Sequence, residues 1–208
     1  MKFKRLENYY NGENTYIIYD ENTLNGFVID PGYDDEKIIK CAKEKGINIK
    51  YVFLTHCHYD HIEFLEQLRE KTNAPLVCGD NCAVNIKKPG IYLTYSGLGY
   101  EIIAKDAEII LKDGEVFKID GMNIKCIYTP GHSSCSVCYL IDNDMFCGDT
   151  LFLRNCGRWD LPTGDEETLV SSVKNKIYTL DENIILYPGH GEETTIGYEK
   201  KFNFFIKG

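Results

Sequence analysis

The sequence predicts a mixed α/β fold in a single domain spanning residues 1–208. Short apolar runs alternate with turn signals along the whole chain, and three longer stretches carry apolar residues at helical spacing. No low-complexity tract, charge block or Pro/Ser-rich linker divides it. Strands are expected at Thr15–Tyr19 and Gly26–Ile29, the second ended by Asp30-Pro31-Gly32. A helix follows, with Asp34 as N-cap, Ile38, Ile39 and Ala42 on its buried face, and Gly46 as its stop. Tyr51–Leu54 is a continuous apolar run, the pattern of a strand covered on both faces. Ile62, Leu65 and Leu68 set a second helix over Ile62–Lys71. A third fits Glu166–Leu180, with Asp165 as cap, acids in its first turn, and Leu169, Val173 and Ile177 in register. Further strands fit Glu115–Ile119, Asn123–Tyr128, Val137–Ile141, Met145–Cys147 and Ile184–Tyr187. The segment Asp80–Lys105 is the least patterned and reads as an ordered surface loop, with Tyr92, Tyr95 and Tyr100 as candidate substrate contacts.

One internal echo is visible. Asn48-Ile49-Lys50 opens a strand leading to Thr55-His56, and Asn123-Ile124-Lys125 opens one leading to Thr129 and His132. The match is short, and compatible with two similar halves placed back to back.

Composition narrows the class. Acidic residues outnumber basic ones 32 to 23, a formal charge of -9, which is a poor balance for neutralising phosphates and argues against a nucleic-acid binder. No window approaches the ~18 continuous apolar residues of a membrane helix. Lys2, Lys4 and Arg5 are not followed by an apolar run, so no export signal is expected. The nine cysteines, an odd number, are then expected to be reduced thiols of a cytoplasmic protein, a monomer or small homo-oligomer.

The five histidines carry the chemistry. Three lie in Thr55-His56-Cys57-His58-Tyr59-Asp60-His61, and the other two follow Pro-Gly, in Pro130-Gly131-His132 and Pro188-Gly189-His190. Each group, and Asp149 in Gly148-Asp149-Thr150, comes directly after an expected strand. Four loops leaving four strand ends therefore carry nitrogen and oxygen donors, the way a rigid scaffold positions a reactive site. Imidazole with carboxylate suits zinc, iron or manganese, and this many donors can hold two ions. Two divalent ions, less Asp60, Asp149 and a bridging hydroxide, leave a formal charge of about +1. An acidic chain can thus present a locally positive pocket to an anionic substrate.

His56-Cys57-His58-Tyr59-Asp60-His61, Pro130-Gly131-His132, Gly148-Asp149-Thr150-Leu151-Phe152 and Pro188-Gly189-His190-Gly191, in that order, resemble the metallo-β-lactamase fold superfamily. The resemblance implies a four-layer αββα sandwich, two mixed β-sheets flanked by helices, with two divalent transition-metal ions at one edge. His56, His58 and His132 would bind one ion, Asp60, His61 and His190 the second, and Asp149 would bridge them. Gly157-Arg158-Trp159-Asp160-Leu161-Pro162 and the ending Gly189-His190-Gly191, Glu193-Thr194-Thr195 are similar to the short glyoxalase II-type hydrolases. That branch implies hydrolysis of hydroxyacyl-glutathione-like thioesters by a metal-bound hydroxide, with Asp60 orienting the nucleophile and zinc, iron or manganese as the metal. Arg158 and Asp160 are given either a supporting, loop-ordering role or that of a surface ion pair. Ser133-Ser134-Cys135-Ser136 stands where the family usually has Thr-Pro-Gly-Ser, and the thiol and acyl specificity stays open.

Cys57 should point away from its flanking histidines and pack, as neighbours in an extended segment alternate. Cys135 and Cys138 form a C-x-x-C pair on a strand, where three residues apart means opposite faces, so both read as core. Trp159 could line the pocket or anchor its loop. The main rival is a persulfide dioxygenase, whose resemblance implies one iron on His56, His132 and Asp149. The complete second donor set, His190 in particular, favours the hydrolase. A lactonase or nuclease of the superfamily, or a metal-dependent binding module, are the lesser alternatives.

Overall fold

The structure is a computed structural model and describes residues 1–88 and 99–208. Tyr92 and Tyr95, two of the candidate substrate contacts, lie outside the described residues. The first sheet runs in chain order: β1 (Lys2–Glu7), β2 (Asn14–Tyr19), β3 (Asn25–Ile29), β4 (Asn48–Phe53), β5 (Leu76–Gly79) and β6 (Ile109–Leu111). β1 to β3 are antiparallel and β3 to β6 parallel, so the sheet is mixed. The second contains β7 (Val116–Ile119), β8 (Met122–Tyr128), β9 (Val137–Ile141), β10 (Asp144–Gly148), β13 (Ile185–Pro188) and β14 (Thr194–Thr195). Its order is β14-β13-β10-β9-β8-β7, with β10 and β13 parallel and the other pairs antiparallel. A small hairpin of β11 (Leu151–Phe152) and β12 (Asn155–Cys156) leaves the end of β10.

Side-chain alternation along the strands sorts the core into three layers, which is the physical content of the αββα arrangement. Tyr16, Ile18, Phe27 and Phe53 of the first sheet meet Ile124, Tyr139 and Phe146 of the second in the middle. Ile17, Val28, Val52 and Leu54, on the first sheet's other face, pack against Ile38 and Ala42 of α1 (Asp35–Lys45) and Leu65 and Leu68 of α3 (Leu65–Thr72). Met145, Cys147 and Leu186 of the second sheet pack against Leu169 of α5 (Glu166–Ser172) and Ile196 of α6 (Ile196–Phe202). Tyr51–Leu54 behaves as its apolar run predicts, with Phe53 facing one layer and Val52 and Leu54 the other.

α1 is capped as expected. The Asp34 carboxylate accepts from the Glu36 and Lys37 amides, and Gly46 closes the helix at φ 70°. The helix expected over Ile62–Lys71 is instead two pieces, α2 (Tyr59–Ile62) and α3. The interruption at Glu63–Phe64 lets the Phe64 amide bond the Pro31 carbonyl, so the turn carrying Asp60 and His61 is oriented independently of α3. The helix expected over Glu166–Leu180 is α5 followed by a π-helical turn at Val173–Ile177, and Leu169, Val173 and Ile177 are all buried. The sequence pattern does not show β1, β5, β6, β11, β12, β14, α6 or α4 (Asp80–Asn85). α4 corrects part of the loop assigned to Asp80–Lys105. Among the described residues no helix is long and apolar enough to cross a membrane.

Candidate metal centre

Four strands end at the same edge of the sandwich, and the loops that leave them are stapled across the two sheets. β4 runs into the loop carrying His56 and His58. β9 holds that loop from the opposite sheet, the Val137 amide bonding Thr55 O at 2.9 Å and the Tyr139 hydroxyl bonding Leu54 O at 2.8 Å. The His190 loop, after β13, is held by β2: Asn14 Nδ2 donates to the Pro188 carbonyl, the Tyr16 hydroxyl does the same at 2.8 Å, and the Asn14 amide bonds Gly189 O. The His132 loop, after β8, is held by α5 through Ser172 Oγ to Pro130 O and the Asp165 amide to Gly131 O. Asp149 leaves β10, and the Gly189 amide bonds Gly148 O, tying the last two loops together.

These staples bring all seven sequence-predicted donors into one cluster. His56, His58 and His132 form one group and Asp60, His61 and His190 another, each offering ligand atoms within 4.8 Å of one another. Within the first, the rings sit 4.6 to 4.9 Å apart, and His132 Nε2 and His58 Nδ1 are 2.8 Å apart. Within the second, His190 Nε2 lies 3.2 Å and His61 Nε2 3.9 Å from Asp60 Oδ2. Asp149 stands between them: Oδ1 is 3.4 Å from His61 Nε2, and Oδ2 is 3.6 Å from His132 Nε2 and 3.7 Å from His190 Nε2. A tetrahedron built on metal–nitrogen bonds of ~2.1 Å has donor–donor edges of ~3.4 Å, in the middle of this range.

For His56, His61 and His132 the far side of the ring fixes the near side. His61 Nδ1 bonds Asp30 Oδ2 at 3.0 Å, His132 Nδ1 donates to the Arg158 carbonyl at 2.7 Å, and His56 Nδ1 lies 3.1 Å from Thr55 Oγ1. Asp30 is anchored in turn, accepting from the Thr55 amide and hydroxyl at 2.7 and 2.6 Å. These three rings are thereby turned so that Nε2 faces the cluster, the outer support typical of metal-ligating histidines, whereas His58 presents Nδ1 to His132. Among the described residues, His56 Nε2, His61 Nε2 and Asp149 Oδ1 are buried without a hydrogen-bond partner. Orphaned polar atoms of that kind cost free energy unless something charged or polar occupies the space between them, and an imidazole–carboxylate set fits a divalent transition metal.

Electrostatics divide the cluster. Burial and the neighbouring rings of His61, His58 and His132 push His56 well below the usual histidine range; burial and His132 push His58 down to about 4. His61 is driven the other way: burial opposes its charge, but the Asp149 and Asp60 carboxylates outweigh that and raise its pKa well above the usual value. Asp149 is held well below the carboxylate range because His61, His190 and His132 outweigh its desolvation. His56 and His58 are thus held neutral, and neutral imidazole is the form that binds a cation.

His58, Asp60, His132, Asp149 and His190 line a cavity of about 420 Å³, completed by Tyr59, Phe152, Cys156, Arg158 and Leu161. His56 and His61 lie behind it, buried. Arg158 is on the cavity wall but its guanidinium is exposed and paired bidentately with Asp160 at 2.7 and 2.8 Å. Its backbone carbonyl, rather than its charge, touches the cluster. Trp159 anchors its loop on Phe205, with ring centroids 6.3 Å apart. Tyr100 reaches Glu63 rather than the donors, its hydroxyl 3.3 Å from the carboxylate. Two buried acids escaped the sequence reading. Asp30 was visible only as the Asp of a strand-ending Asp-Pro-Gly turn, though it holds φ 51°, unusual for a residue with a side chain. Glu13 carried no signal; it is fully buried, bonded by the Thr15 hydroxyl, and burial raises its pKa well above the usual range.

The sequence profile described as Metallo-beta-lactamase superfamily matches residues 10–190. The chain is similar to a probable metallo-hydrolase of Streptococcus pyogenes serotype M6, 34% identical over 214 residues that cover 99% of this chain and 90% of that protein. It is similar to the hydroxyacylglutathione hydrolase GloC of Haemophilus influenzae, 32% identical over 93% of this chain and 92% of that protein. Among solved structures, the BLEG-1 B3 metallo-beta-lactamase superposes with a TM-score of 0.93 at 32% identity, covering 100% of both chains. TTHA1623 in a di-iron-bound form superposes with a TM-score of 0.84 at 27% identity, covering 98% of this chain and 100% of that one.

Proposed function

The chain belongs to the metallo-beta-lactamase superfamily, and from that premise we propose that it is a metal-dependent hydrolase of small acyl thioesters, with hydroxyacyl-glutathione-like thioesters as the first substrates to try. The observation that carries the reading is that two three-donor groups face a common carboxylate, Asp149, at the wall of one open cavity. His56, His58 and His132 would hold one divalent ion and Asp60, His61 and His190 the second. When bound, such a pair lowers the pKa of a shared water and polarises a carbonyl oxygen. Zinc is the ion proposed first; the di-iron form of a structural neighbour keeps iron beside it, and manganese suits the same donors.

The protein's own groups then have distinct tasks. Asp60, on the cavity wall and 3.2 Å from His190, orients the attacking water. Asp30, Thr55 and the Arg158 carbonyl hold the rings in place. Among the described cavity residues Arg158 is the one cation besides histidine, and its charge is already shared with Asp160. A thiolate, whose conjugate thiol has a pKa of ~8.5, leaves without a strong protein acid, which suits this wall better than a poorer leaving group. The relatedness to a hydroxyacylglutathione hydrolase supports the same choice. A single ion on His56, His132 and Asp149 would leave Asp60, His61 and His190 converging on nothing.

The test is thiol release from a panel of acyl thioesters, followed with a thiol-reactive chromophore. Turnover that disappears with a chelator and returns with added metal is expected. Fully metal-loaded protein that releases no thiol, yet turns over a lactone, a β-lactam or a persulfide, overturns the thioesterase reading.

A further inference from the structure

Beyond the histidine–carboxylate centre, a second donor cluster is built entirely of sulfur. Cys57 sits between His56 and His58 but packs into the core between the first sheet and its helices. There its sulfur lies 3.4 Å from that of Cys135, and Cys82 completes a trio whose sulfurs all lie within 4.8 Å of one another. The three come from separate elements: the loop after β4, helix α4, and the turn before β9. α4 and that turn are fastened together by Asn81 Nδ2 to the Ser134 carbonyl at 3.2 Å and Asn85 Nδ2 to Ser134 Oγ at 3.3 Å. All three cysteines are at most 2% exposed.

Reduced cysteine packs as a small hydrophobe, and that accounts for burial at each position taken singly. It does not account for three sulfurs from three elements meeting at one point. Sulfurs bound to a common ion at ~2.3 Å are separated by ~3.8 Å in a tetrahedral site. The observed separations, from 3.4 Å to no more than 4.8 Å, bracket that edge. A disulfide would use only two of the three and needs its sulfurs at ~2.05 Å. Ser133 Oγ, 3.4 Å from Cys135 Sγ, is an adjacent oxygen donor.

We propose that Cys57, Cys82 and Cys135 form a three-sulfur site for one thiophilic d10 cation, distinct from the hydrolytic centre and separated from it by the backbone of the His56–His58 segment. Sulfur donors select such ions over the harder cations that imidazole and carboxylate accept. Since Cys57 is flanked by two donors of the other centre, an ion on the sulfurs also stiffens the loop that presents His56 and His58.

Cadmium is the probe, because sulfur-to-cadmium charge transfer absorbs in the near ultraviolet and nitrogen or oxygen ligation does not. Titration of the reduced full-length protein is expected to give a band that saturates at one equivalent per chain. The band should persist in His190→Ala, so its appearance is independent of the hydrolase reading. It should be lost in Cys82→Ser, which lies away from the histidine loop, and kept in Cys126→Ser, a buried cysteine of the middle layer. Should Cys82→Ser fail to fold, cadmium-113 resonance of the wild-type protein decides between a sulfur-rich position and one of nitrogen and oxygen alone. Cadmium bound without a charge-transfer band, or a band unchanged in both Cys82→Ser and Cys135→Ser, overturns the site.

Discussion

The two sheets deliver their donors in different ways. The first supplies His56, His58, Asp60 and His61 from a single loop and the turn after it, with the buried carboxylate of Asp30 bonded to His61. The second supplies His132, Asp149 and His190 from three separate loops. For the first, spacing in the sequence does the positioning. For the second, donors 17 to 58 residues apart must be brought together by backbone packing, and glycine permits the approach. A Cβ at Gly189 would strike Asp149 Oδ1 and His61 Cε1; one at Gly131, where φ is 137°, would strike the backbone of Leu169. The first half depends on one such approach too, since a Cβ at Gly32 would strike the backbone carbonyl of Asp60.

The sharpest break should come at Asp149, where the two deliveries meet. Asp149→Ala is expected to lower metal content and to reduce hydrolysis by roughly a thousandfold or more. Metal analysis and steady-state kinetics check it, and a loss under tenfold would remove Asp149 from its shared position. Next come the glycines. Gly131→Ala should cost about 2–4 kcal/mol in chemical denaturation, from strain and overpacking together. Gly189→Ala should strip metal from the second group while leaving the fold, by circular dichroism, intact. If alanine at either position is silent, backbone approach does not limit the second half.

How much of this was legible follows the same division. The His-x-His-x-Asp-His run could be read directly because its donors are neighbours in sequence. His132 and His190 could be read because Pro-Gly precedes each, and the short echo between Asn48–Lys50 and Asn123–Lys125 marks strands that do end at the same edge. Those strands nevertheless pair differently, β4 parallel to both neighbours and β8 antiparallel to both. Asp30 was read only as part of a turn, since its role depends on His61, 31 residues further on. β5 and β6, of four and three residues, are too short to show a period. The interruption between α2 and α3 is set by the Pro31 contact, which local spacing does not encode. The C-x-x-C pair did resolve as expected, Cys135 and Cys138 falling in different core layers, but convergence of Cys57, Cys82 and Cys135 needed the fold.

Smaller effects sharpen the comparison from the supporting residues. Asp30→Asn keeps the shape but weakens the acceptor behind His61, and metal affinity should fall by about 10–100-fold, measured by competition with a chromophoric chelator. Glu13 is buried within electrostatic reach of His61 and Asp30, and that burial has a cost. Burial raises its folded-state pKa, so the protonated form is favoured in the fold and stability is lost as pH rises from the ordinary glutamate range through that raised value. Glu13→Gln should therefore raise the melting temperature of metal-stripped protein at pH 7, with the difference closing near pH 4; a gain that grew toward acid would reverse the sign of this account. Arg158→Ala, which removes an exposed guanidinium but keeps the carbonyl that holds His132, should change kcat by no more than about threefold.

The central claim, two ions on one hydrolytic cluster, is tested most directly by metal content per chain in protein purified without chelators. The measurement is best made on the Cys82→Ser variant, so that the sulfur site contributes nothing. About two transition-metal ions per chain, falling to about one in the same variant carrying His190→Ala, is the predicted result. About one ion per chain, unchanged when His190 is removed, would contradict it.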